Sequence, residues 1–140
     1  MSAEGEAPLI ITARLPRELH ARYTALRKAH FPEERNYLEA HVTLFHALPA
    51  MCEAEACSVL KRMAAEFAPV PGQVEGLMSL GRGTAIKLSA PAMLDLRGII
   101  ADHFHGLLTQ QDQQRPRLHV TIQNKVTGKE AKALQAQLAG

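Results

Sequence analysis

The sequence is poor in features that would assign it to a membrane, secreted or metal-binding class. Cysteine occurs only twice in 140 residues, and the spacing of Cys52 and Cys57 fits neither a CxxC redox motif nor a zinc knuckle, so we expect reduced thiols. No apolar run is long enough to cross a bilayer. Met1–Ala7 lacks the basic start and apolar stretch of a signal peptide. These absences predict a cytoplasmic protein without a membrane segment.

A strong excess of charge is also lacking. The chain has 16 basic and 14 acidic residues, which gives a formal net charge of +2. A protein that coats nucleic acid nonspecifically is usually more basic, whereas a small basic pocket is compatible with this balance. An apolar fraction of 46% and the length of the chain are typical of one soluble domain with a real core. We therefore expect a single domain over residues 1–140, and nothing in the sequence indicates an obligate oligomer.

Apolar periodicity and the positions of proline and glycine predict five strands and four helices. The strands are predicted at Pro8–Leu15, Tyr37–Leu48, Val74–Leu80, Thr84–Ser89 and Leu118–Val126. The helices are predicted at Pro16–Ala29, Glu53–Phe67, Ala92–Leu108 and from Gly128 to the C-terminus. The polar segment Thr109–Pro116 is predicted to be an exposed loop with nothing to bury. Because the order strand, helix, strand, helix recurs, we expect a bilobal α+β fold, in which two antiparallel sheets with outer helices face each other as a pseudo-twofold repeat.

Two stretches of the pattern His-x-Thr-x lie on predicted strands, 78 residues apart. They are His41-Val42-Thr43-Leu44 and His119-Val120-Thr121-Ile122. Alternate residues of a strand share a face. His41 and Thr43 are therefore predicted to lie on one face, as are His119 and Thr121, with apolar residues on the opposite face. The same imidazole and hydroxyl pair occurring twice indicates a function more specific than a solvated strand face.

These residue types fit the chemistry of phosphodiester cleavage. An attacking oxygen must lose a proton, a leaving oxygen must gain one, and the charged phosphoryl oxygens must be held. Two imidazoles, which ordinarily titrate near ~6.5, can serve as base and acid at neutral pH. Each such proton transfer contributes roughly 10²–10⁴-fold in rate. Threonine hydroxyls two residues further on can donate to the non-bridging oxygens, and no metal or other cofactor is required.

Extending the same alternation adds further candidates to the two faces. On the second strand it adds Gln123 and Lys125, and the ammonium of Lys125 can offer a point charge to a phosphate. On the first strand it adds Phe45 downstream and Tyr37 upstream, either of which can stack on a nucleobase.

The remaining histidines are weaker candidates for chemistry. His46 is out of phase with the first motif and is predicted to be a half-buried histidine with its hydrogen bonds satisfied. His103 and His105 are two residues apart on a predicted helix, so their side chains diverge and a shared metal ion is not expected.

Together, the two His-x-Thr-x stretches make this chain resemble the 2H phosphoesterase superfamily, which includes the bacterial RNA 2′,3′-cyclic phosphodiesterases first named 2′–5′ RNA ligases. The resemblance implies a bilobal α+β fold with a catalytic groove between two antiparallel sheets. It also implies that His41 and His119 are the acid/base pair and that Thr43 and Thr121 bind the phosphate. Many RNA-processing members carry an arginine soon after the second motif. This chain has Gln123-Asn124-Lys125 there, so Lys125 is the candidate substitute.

The expected activity is metal-independent hydrolysis of a 2′,3′-cyclic phosphate, or of a related 2′-linked ester, on RNA 3′ ends or on nucleotides. The symmetry of the motifs leaves open which histidine is the acid and which the base. Two alternatives remain open. One is a small-molecule cyclic phosphoesterase, for instance on ADP-ribose cyclic phosphate, and the other is a noncatalytic RNA- or nucleotide-binding module.

Overall fold

The computed structural model describes residues 7–139, which contain five strands, five α-helices and two short 3-10 turns. The strands are β1 (Leu9–Ala13), β2 (Val42–Leu48), β3 (Gln73–Ser79), β4 (Thr84–Ser89) and β5 (His119–Gln123). The helices are α1 (Arg17–His30), α2 (Glu53–Glu66), α3 (Pro91–His103), α4 (Gln110–Gln113) and α5 (Gly128–Ala139). The prediction about a signal peptide concerns Met1–Ala7, of which residues 1–6 lie outside the described part.

The strands form two antiparallel sheets. One contains β1 and β2, and the other has the order β3-β4-β5. This confirms the predicted α+β class. None of the helices within residues 7–139 is both long and apolar enough to cross a membrane.

The chain divides into two compact units, of which the second carries both His-x-Thr pairs. Unit 2 consists of Thr12–Thr43, Gln73–Ser89 and the described residues from Arg117 onward. In this unit α1 packs on β5, while α5 packs on β3 and β4. The interior side chains of unit 2 include Tyr23, Ile86, Val120, Ile122 and Leu134. The three-stranded sheet and its two helices therefore form the scaffold for the second motif.

Unit 1 consists of Leu44–Gly72 and Ala90–Pro116 together with the described residues up to Ile11. Its buried apolar side chains come from β2, α2 and the region of α3. They include Phe45, Leu48, Val59, Ile100 and Phe104. The spacing of apolar residues predicted both long helices of this unit, although α3 ends at His103 rather than Leu108. The chain turns there through Gly106, whose φ of +87° favours glycine.

Two strands are less extensive or less buried than the sequence pattern predicted. The predicted strand Tyr37–Leu48 begins only at Val42, and Glu33–Arg35 forms a 3-10 turn in the polar segment before it. In β1 only Ile11 is buried, whereas Ile10 is 59% exposed. The reason is that β1 pairs with β2 alone, in a sheet of two strands, and an Ile-rich run is not enough to bury both of its faces.

The prediction that Thr109–Pro116 is an exposed loop with nothing to bury was wrong. This segment contains α4, whose first turn is capped by the Thr109 hydroxyl, which accepts from the backbone N–H of Asp112 at 3.2 Å. The Asp112 carboxylate is 1% exposed and accepts the backbone N–H groups of His46 and Ala47, each at 2.9 Å. A buried carboxylate thus satisfies two consecutive donors of β2, and a polar residue is what anchors this segment.

Burial of Asp112 raises its pKa, but the backbone hydrogen bonds from His46 and Ala47 and the hydrogen bond and charge of the His46 ring outweigh this. The pKa of Asp112 is therefore held below its ordinary value of 3.8. A carboxyl group of this kind stabilises the fold above its ordinary pKa, and the stabilisation is lost as the pH falls through the pKa in the folded protein.

We expect Asp112→Asn to lower the free energy of unfolding at pH 7 by about 1–3 kcal/mol, because an amide replaces one of two acceptor oxygens at a buried position. The difference from the parent should narrow as the pH falls below about 4, where the parent carboxylate becomes protonated. Urea denaturation between pH 7 and pH 3 measures this. Asp95→Asn, at an exposed position of α3, is the control and should change little. An Asp112→Asn variant that is as stable as the parent at pH 7 would show that the Asp112 carboxylate does not anchor this segment.

Candidate active site

The two motif histidines have the same local geometry. Nδ1 of His41 lies 2.7 Å from the backbone carbonyl oxygen of Glu39, and Nδ1 of His119 lies 2.7 Å from that of Arg117. A carbonyl oxygen only accepts, so each Nδ1 carries the proton and donates it to the carbonyl two residues upstream. In both residues this leaves Nε2 as the nitrogen that is available to take up or release a proton. Both side chains are partly exposed.

The exposure of the motif residues follows the predicted alternation. Both histidines and both threonines are partly exposed, whereas the intervening apolar residues are buried. Those buried residues are Val42, Leu44, Val120 and Ile122. His41 lies immediately before the first residue of β2, and His119 is the first residue of β5. In each motif, buried apolar side chains therefore anchor the backbone that carries the imidazole and the hydroxyl.

A buried arginine, which the sequence pattern did not single out, contacts the backbone near both motifs. Arg27 on α1 is 4% exposed. Its Nη1 donates to the carbonyl oxygen of Thr121 at 2.8 Å, and its Nε donates to that of Leu38 at 3.1 Å. Its Nη2 donates to the Asn36 side-chain oxygen at 3.2 Å, and the guanidinium lies 4.3 Å from the centre of the Phe31 ring. Burial lowers the pKa of Arg27.

The contacts of Arg27 have a consequence for the site. Leu38 lies three residues before His41, and Thr121 lies two residues after His119. Because one rigid guanidinium bonds both carbonyl groups, the segment leading to the first motif is held next to the strand that carries the second. The apolar spacing of α1 does not predict burial of Arg27, because charged residues of an amphipathic helix are expected on its solvent face. A buried arginine leaves no distinctive signal in the sequence.

The two aromatic candidates have different outcomes. Phe45 is completely buried, and the guanidinium of Arg97 lies 4.2 Å from the centre of its ring. The prediction that Phe45 can stack on a nucleobase was therefore wrong, because α3 covers this position. Tyr37 is 84% exposed and lines a cavity of about 590 Å³ together with Lys28 and Glu39. Tyr37 does not lie on a strand, and the lining of this cavity ends at Glu39, two residues before His41.

The predicted extension of the second strand was also only partly right. The pairing of β4 with β5 shifts between Thr84 and Ala85, whose partners are Gln123 and Thr121. This irregularity interrupts the alternation, and Gln123 is 5% exposed, with its side-chain oxygen accepting from the Thr84 hydroxyl at 3.0 Å. Gln123 is thus a core residue and does not belong to the open face.

Lys125 lies beyond the end of β5. Its φ is +59°, in the left-handed region that non-glycine residues rarely adopt, and its backbone N–H donates to the side-chain oxygen of Asn124 at 2.9 Å. Strand phase therefore says nothing about the direction of Lys125, which is exposed, and its binding of phosphate stays a prediction.

The turn that contains Lys125 is tied to the β3–β4 hairpin. Val126 donates its N–H to the Arg82 carbonyl at 3.0 Å, and the Arg82 Nε donates to the Val126 carbonyl at 2.9 Å. A Cβ at Gly83 would lie 2.2 Å from the carbonyl oxygen of Gln123. Close passage of the β5 backbone therefore requires glycine at position 83, and the hairpin fixes where β5 ends.

The other polar candidates have structural partners. His46 Nδ1 lies 3.3 Å from the Asp112 carboxylate, so one ring nitrogen has the partner that was predicted, and the side chain is 45% exposed. His103 Nε2 lies 3.2 Å from the Glu55 carboxylate. Cys52 and Cys57 are both free thiols, the first buried and the second exposed.

A family model described as the 2′-5′ RNA ligase superfamily matches residues 15–140. No curated protein and no solved structure matches the chain. The match covers α1 to α5 and includes both His-x-Thr stretches. The chain belongs to the 2′-5′ RNA ligase superfamily, which is part of the 2H phosphoesterase superfamily, as the paired motifs predicted. The family indicates an enzyme of the 2H phosphoesterase type with phosphoesterase- or ligase-like activity.

We expect Arg27→Met to lower the free energy of unfolding by about 1–3 kcal/mol, because methionine fills much of the space but leaves buried carbonyl oxygens without a donor. Urea denaturation at pH 7 measures the loss. Arg22→Met is the matched control, since Arg22 is exposed on the same helix and should be nearly neutral. Equal stability of the two variants would show that the Arg27 hydrogen bonds do not hold this region together.

Proposed function

We propose that this protein is a metal-independent phosphodiesterase that hydrolyses a 2′,3′-cyclic phosphate, or a 2′-linked phosphoester, of RNA or a nucleotide. The observation that carries the proposal is the matched pair of Nδ1 hydrogen bonds to backbone carbonyls, which leaves Nε2 of both His41 and His119 free for proton transfer. Membership of the superfamily supports the reaction class. The same family also includes ligase-like activity, so the direction of the reaction is part of the proposal.

The proposed reaction uses the two imidazoles in opposite protonation states. One neutral imidazole takes a proton from water at Nε2 while the water oxygen forms a bond to phosphorus. The P–O bond to the ribose oxygen breaks, and the second imidazole, protonated at Nε2, gives its proton to that oxygen. The products are a phosphomonoester and a free hydroxyl, and the proton taken from water balances the proton given to the ribose.

The hydroxyls of Thr43 and Thr121 are proposed to donate to the non-bridging phosphoryl oxygens, and Lys125 to add a positive charge. The buried cation of Arg27 bonds the Thr121 carbonyl and so adds a fixed positive charge close to the second motif. Preorganised donors and charges stabilise a transition state without reorganising during the reaction.

For the substrate we propose a cyclic phosphate at an RNA 3′ end or on a nucleotide. The exposed ring of Tyr37, on the segment that leads to the first motif, supports a nucleobase as part of the substrate. We further propose that the chain acts as a single cytoplasmic domain of two lobes, that it is a monomer, and that it needs no cofactor.

We expect the parent protein to hydrolyse a nucleoside 2′,3′-cyclic phosphate in the presence of EDTA. His41→Ala and His119→Ala should each reduce kcat by roughly 10²–10⁴-fold, because each removes one proton transfer. The pH–rate profile of the parent should be bell-shaped, with one limb for the base and one for the acid. His105→Ala, at an exposed position outside the motifs, is the control and should retain parental activity.

Each failure of this experiment has a different meaning. Activity that EDTA abolishes would contradict the metal-independent mechanism. Binding of the cyclic nucleotide that survives both His→Ala changes, with no hydrolysis by the parent, would favour a noncatalytic binding module. Turnover of a small cyclic phosphate but not of a cyclic-phosphate-ended oligonucleotide would favour the small-molecule alternative over RNA.

We expect Tyr37→Ala to raise KM for a nucleoside 2′,3′-cyclic phosphate by about 5–100-fold with little change in kcat, because base–aromatic stacking contributes about 1–3 kcal/mol per base. Tyr37→Phe keeps the ring and should remain close to the parent. A cyclic phosphate without a base serves as the control substrate, and its KM should be the same for parent and variant. An equal loss on both substrates would contradict stacking by Tyr37.

A further inference from the structure

One basic residue lies directly opposite His119 in the sheet. The register of β4 and β5 pairs Lys87 with His119, and the next pair along is Ile86 with Val120. Ile86 and Val120 are 6% and 0% exposed, so they face the core, whereas Lys87 is exposed. Directly paired residues of an antiparallel sheet lie on the same face, with Cβ atoms about 4.5–5.5 Å apart. The Lys87 side chain therefore leaves the sheet beside the imidazole of His119.

The partner of Lys87 on its other side, in β3, leaves the face of the sheet that carries Lys87 and His119 open. On β3 the partner of Lys87 is Gly76, which has no side chain and lies at φ +129°, where a residue with a side chain would be strained. An added Cβ at Gly76 would meet nothing within 4 Å. The row of paired residues that crosses the sheet at His119 thus consists of His119, Lys87 and Gly76. Because Gly76 has no side chain, there is space for a ligand beside the Lys87 ammonium.

The ammonium of Lys87 is available for a stronger partner. It lies 3.8 Å from the carboxylate of Glu75, at the upper end of the ion-pair range, and the two side chains are 46% and 45% exposed. Exposed pairs of this kind contribute little to stability. Glu75 occupies the extra position of the register shift between Val74 and Gly76, so its carboxylate reaches Lys87 from a bulge rather than from a paired position. A cyclic phosphate at His119 would carry the same single charge as this carboxylate on two non-bridging oxygens, and the phosphomonoester product would carry up to two.

We infer that Lys87 is a phosphate-binding residue of the two-histidine site, where its ammonium pairs with a non-bridging phosphoryl oxygen of the substrate and Glu75 holds the ammonium while the site is empty. The inference rests on the proposed function, and it gives the site a cation in addition to Lys125, at a position that is fixed by strand pairing. The threonine hydroxyls carry no net charge, so they cannot supply a positive charge to the phosphate. Lys87 can supply it, because its strand is paired directly with the strand that carries His119. Lys125 follows a turn beyond the last residue of β5.

The test compares Lys87→Met, Lys87→Arg and Glu75→Gln with the parent. Two quantities are measured: KM for a nucleoside 2′,3′-cyclic phosphate, and the dissociation constant of the nucleoside 2′-monophosphate, which needs no turnover. We expect Lys87→Met to raise both by about tenfold or more, since it removes a charge-assisted contact to phosphate. Lys87→Arg should stay within a few fold of the parent. Glu75→Gln should lower both values two- to fivefold, because the ammonium no longer has a competing carboxylate.

The opposite signs of the Lys87→Met and Glu75→Gln effects separate this role from a purely structural ion pair, whose loss from either side would have the same small effect. Lys132→Met, on the exposed surface of α5, controls for a change of net charge and should match the parent. Parental KM and dissociation constant in Lys87→Met, alongside an active parent, would overturn the inference while leaving the proposed function intact. A parent that neither hydrolyses the cyclic phosphate nor binds the monophosphate would instead contradict the proposed function.

Discussion

The guanidinium of Arg27 is a charged group removed from water, and the surrounding backbone must be placed to accept its hydrogen bonds. Burying an unpaired cation costs several kcal/mol, and among the described residues no ion pair involves Arg27. The cost is offset by neutral acceptors, one of which, Thr121, is 94 residues away in the sequence. Because these acceptors lie shortly before the first His-x-Thr motif and within the second, the hydrogen bonds of one buried charge also hold the backbone that carries the candidate acid and base.

Unit 1 contains an arginine with the same kind of contacts. Arg97 on α3 is 5% exposed, its Nε donates to the Leu44 carbonyl at 2.9 Å, and its Nη2 donates to the Asp112 carbonyl at 2.6 Å. Burial lowers the pKa of Arg97, while the Asp112 carboxylate acts to raise it. Each unit therefore uses a helix-borne, buried arginine to bond the backbone in or beside a His-x-Thr motif, a parallel that matches the repeated order of strands and helices.

The sequence predicted the fold class, most element positions and the burial pattern of the four-residue motifs, because those features depend on local spacing. It did not predict Arg27 or Asp112, since their burial depends on partners distant in the chain and polar residues leave no apolar pattern. It also placed Phe45 and Gln123 on the open face by extending strict alternation. Phe45 is covered by a residue of α3, and Gln123 follows a register shift between β4 and β5. Both are tertiary effects, about which a period-two pattern contains no information.

The shared geometry of the two histidines therefore does not come from strand phase alone. His119 lies in β5 and has a ladder partner, whereas His41 precedes the first residue of β2. Both nevertheless place Nδ1 at 2.7 Å from the carbonyl two residues upstream. A side-chain bond to the residue's own local backbone fixes the tautomer and the direction of Nε2 without help from a neighbouring strand. Two histidines in different backbone settings thus present the same ring nitrogen for the proposed proton transfers, and any difference between their proposed roles would come from neighbours such as Lys87, the ladder partner of His119.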